Sequence, residues 1–361
     1  MRILHVITSL YTGGAEKLMV DLLPRLRDAG HEVELLLFNG AATPFREVLQ
    51  KSGIMIMDCG PGNSVYSLKN LRTLRKMIGK YDIIHTHNSS PQFFAALAGI
   101  GKSVKLVTTE HNTNNRRRNW PGFSMIDRWM YNRYDSVICI SDKAEENLRD
   151  FLKTDKKNIC TIYNGIDTSR FRNAMPSEEL MKYIPAGGKA IMMVAAFRPQ
   201  KNQEALIKAM EYLPEKFHLF LVGEGERKNE CIKAAKYSKA SERIHFLGRR
   251  SDIPELLKAS DYVVLSSHYE GLSLSSIEGM SAGSPFLASD VDGLHEVVAG
   301  AGILFKDGDS KVIANEIMRL DENPQLYHKI TEKCINKAIK YDISIMAHRY
   351  ISIYKSLKYK E

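Results

Sequence analysis

Short runs rich in Val, Ile and Leu alternate along the chain with longer stretches whose apolar positions recur at helical spacing. That alternation predicts repeated strand–helix units wound around parallel sheets. In the first half the predicted strands are 3–8, 32–38, 54–59, 82–87, 105–109, 136–140 and 159–163. Helices are predicted over 15–28 and 142–151, the second capped by Ser141 with acidic residues in its first turns. Between 171 and 189 two prolines and a glycine pair surround a short helical piece and read as a linker. The alternation restarts with predicted strands 190–197, 218–222, 243–247, 262–266, 285–289 and 302–305. From 310 the pattern is helical, with Pro324 opening a new helix. The pattern predicts an α/β protein of two doubly wound domains with a cleft between them.

Length agrees: 361 residues suit two domains of ordinary size rather than one. With 44% hydrophobic and 26% charged residues, a full core can form without disulfides or structural metals. The five cysteines are widely spaced, with no C-x-x-C pair, which argues against a disulfide framework or a zinc site. The first residues read as a buried strand broken by His5, a poor signal peptide, and no apolar stretch approaches the roughly 20 residues that span a bilayer. The expected compartment is the cytoplasm. The formal charge of +9 is uneven: residues 1–167 hold 23 Lys/Arg against 17 Asp/Glu, and the remainder 28 against 25. A basic first half suits an anionic partner, such as a phosphorylated acceptor or a membrane surface, or simply solubility.

Ligands of open α/β sheets bind beyond the carboxyl ends of the strands. The first strand runs into Gly13-Gly14-Ala15-Glu16, where two glycines opening a helix either let backbone N–H groups approach a phosphate or make a tight turn. The G-x-G-x-x-G fingerprint is absent, so a dinucleotide cofactor is not indicated. Period-two alternation puts Ile83, His85 and His87 on one face of the fourth strand. His85 lies deeper and reads as a core histidine, His87 at the strand exit as one that reaches the cleft, and His111 after the fifth strand has a similar claim. The richest segment is Glu270-Gly271-Leu272-Ser273-Leu274-Ser275-Ser276-Ile277-Glu278-Gly279-Met280. Free N–H groups at Leu272 and Ser273, with the helix dipole, suit a diphosphate, and a carboxylate at Glu278 suits a pair of ribose hydroxyls. A capped helix with solvated glutamates would show the same spacing.

In that segment the chain resembles the retaining glycosyltransferases of family 4, which have the GT-B fold of two Rossmann-like domains facing across a cleft. Glu270 and Glu278 match the family's pair of glutamates separated by seven residues. Further matches are Gly13-Gly14-Ala15-Glu16, Tyr163-Asn164-Gly165-Ile166-Asp167 with Phe171, Val222-Gly223-Glu224-Gly225, Phe246-Leu247-Gly248, and Gly283-Ser284-Pro285 followed by Ser289-Asp290 and Gly293. The likeness is stronger in the second half. It implies an acceptor-side domain over 1–170, a donor-binding domain over 171–341, and a last helix (342–361) that crosses back to the first. It implies that Glu278 holds the donor ribose, that Glu270 contacts the transferred sugar, and that Gly271, Leu272 and Ser273 serve the diphosphate. Gly13 and Gly14 would face that diphosphate, Gly223, Gly248 and Arg249 would belong to the donor site, and His87 would sit by sugar and acceptor. One position departs. Lys201 fits the family's lysine, but Ala196 occupies its arginine position, and Arg198, two residues on, is the candidate to supply that charge.

The implied activity is metal-independent transfer, with retained configuration, from a nucleotide diphosphate sugar, by expectation UDP-linked. No cofactor and no bound metal are expected. The implied acceptor is a saccharide or a polyprenyl-linked species in surface polysaccharide synthesis. The basic stretch Arg116-Arg117-Arg118 beside Trp120, with His111, falls on the acceptor side, where arginines and aromatics suit an anionic headgroup or the inner face of the membrane. No nucleic-acid partner is indicated. A nucleotide-sugar 2-epimerase of similar architecture is the alternative.

Overall fold

The computed structural model describes residues 1–11, 13–111, 121–154 and 158–359. Two compact units emerge, one formed by Met1–Gly165 with Ile343–Glu361, the other by Ile166–Asp342. Each is a parallel sheet between helices.

The first unit holds β1 (Arg2–Ile7), β2 (Glu32–Leu37), β3 (Met55–Asp58), β4 (Ile83–His87), β5 (Lys105–Glu110), β6 (Ser136–Cys139) and β7 (Ile159–Thr161), in the order β3-β2-β1-β4-β5-β6-β7. The apolar run of β1 is continuous because both faces are covered. Ile3 and Ile7 pack with Leu18 and Leu22 of helix Gly14–Asp28 and with Tyr350 of helix Ile343–Lys358. Leu4 and Val6 face the opposite layer, where Leu74, Phe94, Met130 and Leu148 come from helices Leu68–Met77, Ser89–Ala98, Pro121–Tyr131 and Asp142–Leu152. Ser141 caps the last of these, its hydroxyl accepting from the Ala144 N–H at 3.2 Å.

The second unit holds β8 (Lys189–Val194), β9 (Phe217–Val222), β10 (Ile244–Gly248), β11 (Tyr262–Leu265), β12 (Phe286–Ser289) and β13 (Ile303–Phe305), in the order β10-β9-β8-β11-β12-β13. Helix Leu274–Ser281 lies unusually close to this sheet: a Cβ on Gly279 would stand 2.7 Å from the Phe286 ring and 2.9 Å from Val263. The missing side chain therefore sets how deep that helix sits.

Both sheets reverse direction of winding at one place, between β1 and β4 and between β8 and β11. Such switch points open a crevice at the strands' carboxyl ends. The chain leaves the second unit where it entered: Ile166 bridges Asp342, whose carboxylate accepts from the Thr168 hydroxyl at 2.6 Å.

Candidate functional site

At the switch point of the second unit, the loop after β8 and the loop after β11 are tied together. The buried Ser266 hydroxyl donates to the Asn202 carbonyl at 2.8 Å, and the His268 N–H donates to the Gln200 carbonyl at 2.8 Å. Asn202 holds a left-handed conformation, φ 47°, which asparagine tolerates better than most residues. The ties deliver Lys201 onto the Glu270 carboxylate as an ion pair with only 14% and 8% of the side chains exposed. Ser267 adds a hydrogen bond to the same oxygen at 2.7 Å. Taking one partner from so enclosed a pair would strand a charge at a cost of about 3–5 kcal/mol. Below Glu270 lies a shelf: its N–H donates to the Asp292 carbonyl at 3.1 Å, and Gly293, at φ 81°, leaves no room for a Cβ, which would fall 2.3 Å from the Glu270 carbonyl oxygen.

Helix Leu274–Ser281 starts just beyond. Ser273 is its N-cap and accepts from the Ser276 N–H, so the preceding donors of the first turn remain available to an anion. Gly271 is exposed, with no atom of the described residues within 4 Å of where a Cβ would stand. Leu272 is half-buried, and Glu278 lies half-buried on the same helix. Arg198 and Arg249 are exposed. Gly223 has a conformational role of its own: its φ of 144° and a would-be contact of 2.1 Å with the Ala195 carbonyl oxygen require glycine. Gly248, at φ 68°, accepts from the Gly223 N–H at its carbonyl oxygen at 2.8 Å. The structure thus brings Lys201, Glu270 and the Gly271–Ser273 turn together, with Gly223 and Gly248 explained by backbone packing alone.

At the first unit's switch point four histidines form a buried array. His5 pairs in register with His85, and His87 with Thr109. The hydrogen bonds run diagonally, each to the next strand and two residues further on. His5 Nδ1 meets His87 Nε2 at 3.0 Å, His87 Nδ1 meets His111 Nε2 at 3.0 Å, and His85 Nε2 meets Thr109 Oγ1 at 2.8 Å. The second nitrogen of His85 bonds the Tyr354 hydroxyl at 2.5 Å. His5, His85 and His87 have no exposed surface. Burial lowers His5 to about 3 and His111 to about 4; burial first, and then the neighbouring imidazoles, hold His85 and His87 well below the usual range. All four are therefore neutral imidazoles at physiological pH.

His85 thus sits in the core, as its depth predicts. His87 differs from the sequence expectation: its place at the strand exit does not expose it, because His5 and His111 take both ring nitrogens and its ring stacks on His85 at 4.5 Å. His111, half-buried, is the chain's outer member. His5, His85 and His87 are near enough for a shared metal ion. Their rings lie within 32° of parallel and His85 uses both nitrogens, so the lone pairs do not converge. Hydrogen bonding is the better description.

The Gly13-Gly14 turn opens helix Gly14–Asp28 with no side-chain cap. A Cβ on Gly14 would meet no atom of the described residues within 4 Å, whereas the Glu16 carboxylate lies over Gly13. Asn88 hydrogen-bonds Glu16 and donates to Thr8 Oγ1 at 3.0 Å from a backbone at φ 70°. Glu16 belongs to the motif quoted from the sequence, but Thr8 and Asn88 were not singled out by it; a positive φ at asparagine has no periodic signature. Arg116, Arg117, Arg118 and Trp120 lie outside the described residues.

Comparison with known proteins accounts for both halves. The family described as Glycosyltransferase Family 4 matches residues 12–170, and Glycosyl transferases group 1 matches residues 180–338. The chain is 28% identical over 303 residues to the putative glycosyltransferase EpsD of Bacillus subtilis, covering 79% of this chain and 80% of the relative. It is 26% identical to the UDP-Gal:alpha-D-GlcNAc-diphosphoundecaprenol alpha-1,3-galactosyltransferase of Escherichia coli, over 94% of this chain and 92% of the relative. Among solved structures, Anabaena HepE in complex with UDP superposes with a TM-score of 0.83 at 22% identity, covering 99% of this chain and 100% of that one. A glycosyltransferase from Rickettsia africae gives 0.85 at 20% identity, covering 100% and 99%. With both halves matched and each unit wound as a Rossmann-like sheet, the chain belongs to the GT-B glycosyltransferases of family 4 and group 1, enzymes that transfer a sugar from a nucleotide sugar.

Proposed function

We propose that this glycosyltransferase is a retaining enzyme that uses a UDP-sugar and a lipid-linked acceptor at the inner face of the membrane, in surface glycan synthesis. The observation that carries the donor side is the enclosed Lys201–Glu270 pair beside the turn at Gly271–Ser273 that opens the next helix. The diphosphate rests on the N–H groups of Leu272 and Ser273, the ribose hydroxyls donate to Glu278, and Glu270 contacts the sugar. In transfer the bond from the anomeric carbon to the phosphate oxygen breaks, the acceptor oxygen bonds the same face of the sugar, and its proton passes to the leaving phosphate. Lys201, joined by Arg198 in place of the absent arginine, neutralises the charge that grows on that phosphate. Arg249 serves the base, and His87 acts by the acceptor through His111. Support for the uridine donor is the UDP held by Anabaena HepE, and for the lipid-linked acceptor the diphosphoundecaprenol substrate in the E. coli relative's name.

Thermal shift against a panel of nucleotide diphosphate sugars tests the reading. A ligand that binds only the native state at a hundred times its Kd adds about 2.7 kcal/mol and raises the melting point. Stabilisation by UDP-sugars is expected, with transfer unaffected by a chelator. No response to any nucleotide sugar sinks the donor assignment. An epimerase would convert donor incubated alone; the relatives compared above are transferases, and no feature of the site favours that alternative.

A further inference from the structure

The loops that carry Lys201 and Glu270 belong to a ring of four tied segments, and the transfer chemistry leaves one of those ties unused. Lys201 ends the short turn Pro199–Lys201 between β8 and helix Gln203–Ala209. The loop after β11 holds that turn through the Ser266 hydroxyl and the His268 N–H. Helix Gln203–Ala209 is held in its turn by the Ser310 hydroxyl, which donates to the Ala205 carbonyl at 2.7 Å and opens helix Ser310–Asp321. Both serines are buried. The ring closes just ahead of Ser310, where Asp307, in the turn after β13, accepts from His268 Nδ1 at 2.7 Å.

His268 therefore serves the β11 loop twice, with its main chain toward Lys201 and its ring toward β13. A carboxylate accepts and does not donate, so the ring carries a proton on Nδ1 whatever its charge. The turn that presents Asp307 is itself fixed: the Asp309 N–H donates to the Lys306 carbonyl at 3.1 Å, and Gly308 takes φ 73°. Asp307 depends on His268, since its Oδ1 is buried with no hydrogen bond among the described residues. A buried, unbonded oxygen lowers stability, and a pair with 46% and 33% of its side chains exposed restores little of it. Stability does not account for the arrangement. A local departure of this kind belongs to sites selected for what they do, and Glu270 lies two residues along the same loop.

We propose that His268 and Asp307 are positioning residues for sugar transfer. Their pair fixes the β11 loop against the Lys201 turn, so that the Lys201 ammonium and the Glu270 carboxylate keep their places while charge grows on the leaving phosphate. The role presupposes the reaction read above at Lys201 and Glu270. It acts on the chemical step and not on the hold on the donor, because the turn at Gly271–Ser273 and the helix bearing Glu278 lie beyond the tie.

Steady-state release of UDP is measured from the UDP-sugar that stabilises the enzyme most, and UDP binding by calorimetry. Misplacement by 1 Å can cost about a hundredfold in rate, so loss of one exposed tie, in His268→Ala or Asp307→Ala, should lower kcat about tenfold. KM for the donor and Kd for UDP should stay within about twofold, and the melting point should fall by no more than about 4 °C, as for any exposed pair. His268→Asn, whose amide nitrogen stands where Nδ1 stood, should recover most of kcat. Lys189→Gln breaks a pair of similar exposure, with Asp261, at the amino ends of β8 and β11, and should leave kcat unchanged. Urea unfolding judges the tie without any turnover: Lys201→Met and His268→Ala should be non-additive in the second unit's unfolding constant by about threefold or more. An inactive parent enzyme with a non-additive cycle would sink the reaction and leave the tie standing. Unchanged kcat in both alanine variants, a fall in UDP affinity matching the fall in kcat, or an additive cycle would overturn the proposal.

Discussion

A neutral imidazole has one N–H and one lone pair, so the chain His5–His87–His111 has a single sense. All three rings carry the proton on Nε2, or all three on Nδ1; a mixed chain would set two donors or two lone pairs face to face. The inner end, His5 Nε2, is buried without a hydrogen-bond partner among the described residues. A chain neutral when folded and free to protonate when unfolded makes stability pH-dependent. The folded values lie below the unfolded value of 6.5, so the contribution is complete above that pH and is lost as pH falls through 6 toward 4. Each histidine that protonates only on unfolding removes about 1.4 kcal/mol per pH unit. Urea unfolding at pH 7 and pH 5 should show a marked loss at the lower pH, and His5→Phe should flatten it. A flat profile in the parent protein would mean that these rings already titrate in the fold.

Elements rather than single residues decide which glycines matter for what. Gly223 and Gly293 combine positive φ with backbone oxygens 2.1 to 2.3 Å from a would-be Cβ. Gly14 and Gly271 face open space at helix starts. Alanine at Gly223 or Gly293 should therefore cost about 2–4 kcal/mol and lower the melting point. Alanine at Gly14 or Gly271 should leave the melting point within a degree or so, since surface changes stay near 0.5 kcal/mol, yet weaken donor binding. Calorimetry with titration of UDP separates the two sets. Glu278→Ala belongs with the second set: loss of charged hydrogen bonds to the ribose should weaken the donor by about 2 kcal/mol, roughly thirtyfold, in the same titration. Much of this level was legible in the sequence. Apolar runs bounded by turn residues located β1, β4, β8 and β11, and Ser141 marked a helix start. The Glu270–Met280 segment declared itself because an acid, a glycine and serines follow a strand. His5 did not, because a polar residue in an apolar run shows its use only when parallel register places it diagonally from His87. The role of Gly279 was equally hidden, since helix-to-sheet distance has no local signature.

At the scale of the whole molecule, the helix Ile343–Lys358 is part of the first unit's core. Tyr350 and Tyr354 are wholly buried, and their hydroxyls reach Thr109 and His85. Tyr354→Phe should cost about 1–2 kcal/mol by leaving a buried ring nitrogen unpaired, whereas a chain stopped after Asp342 should lose the cooperative melting of the first unit while the second still unfolds as one body. Differential scanning calorimetry reads both; a truncated protein with two intact transitions would show the helix to be dispensable. The second unit's sheet, by contrast, is closed by its own consecutive segments.

That discontinuity has a consequence for biosynthesis. The strands of the first unit leave the ribosome early, but the helix that completes the cover of one of their faces is translated only after the whole second unit. At ordinary elongation rates the wait is on the order of ten to thirty seconds. Throughout it, the part of that face which helix Gly14–Asp28 does not cover, around His85 and Thr109, is open to the cell, so chaperone attendance during synthesis, more than native stability, should govern how much active enzyme accumulates.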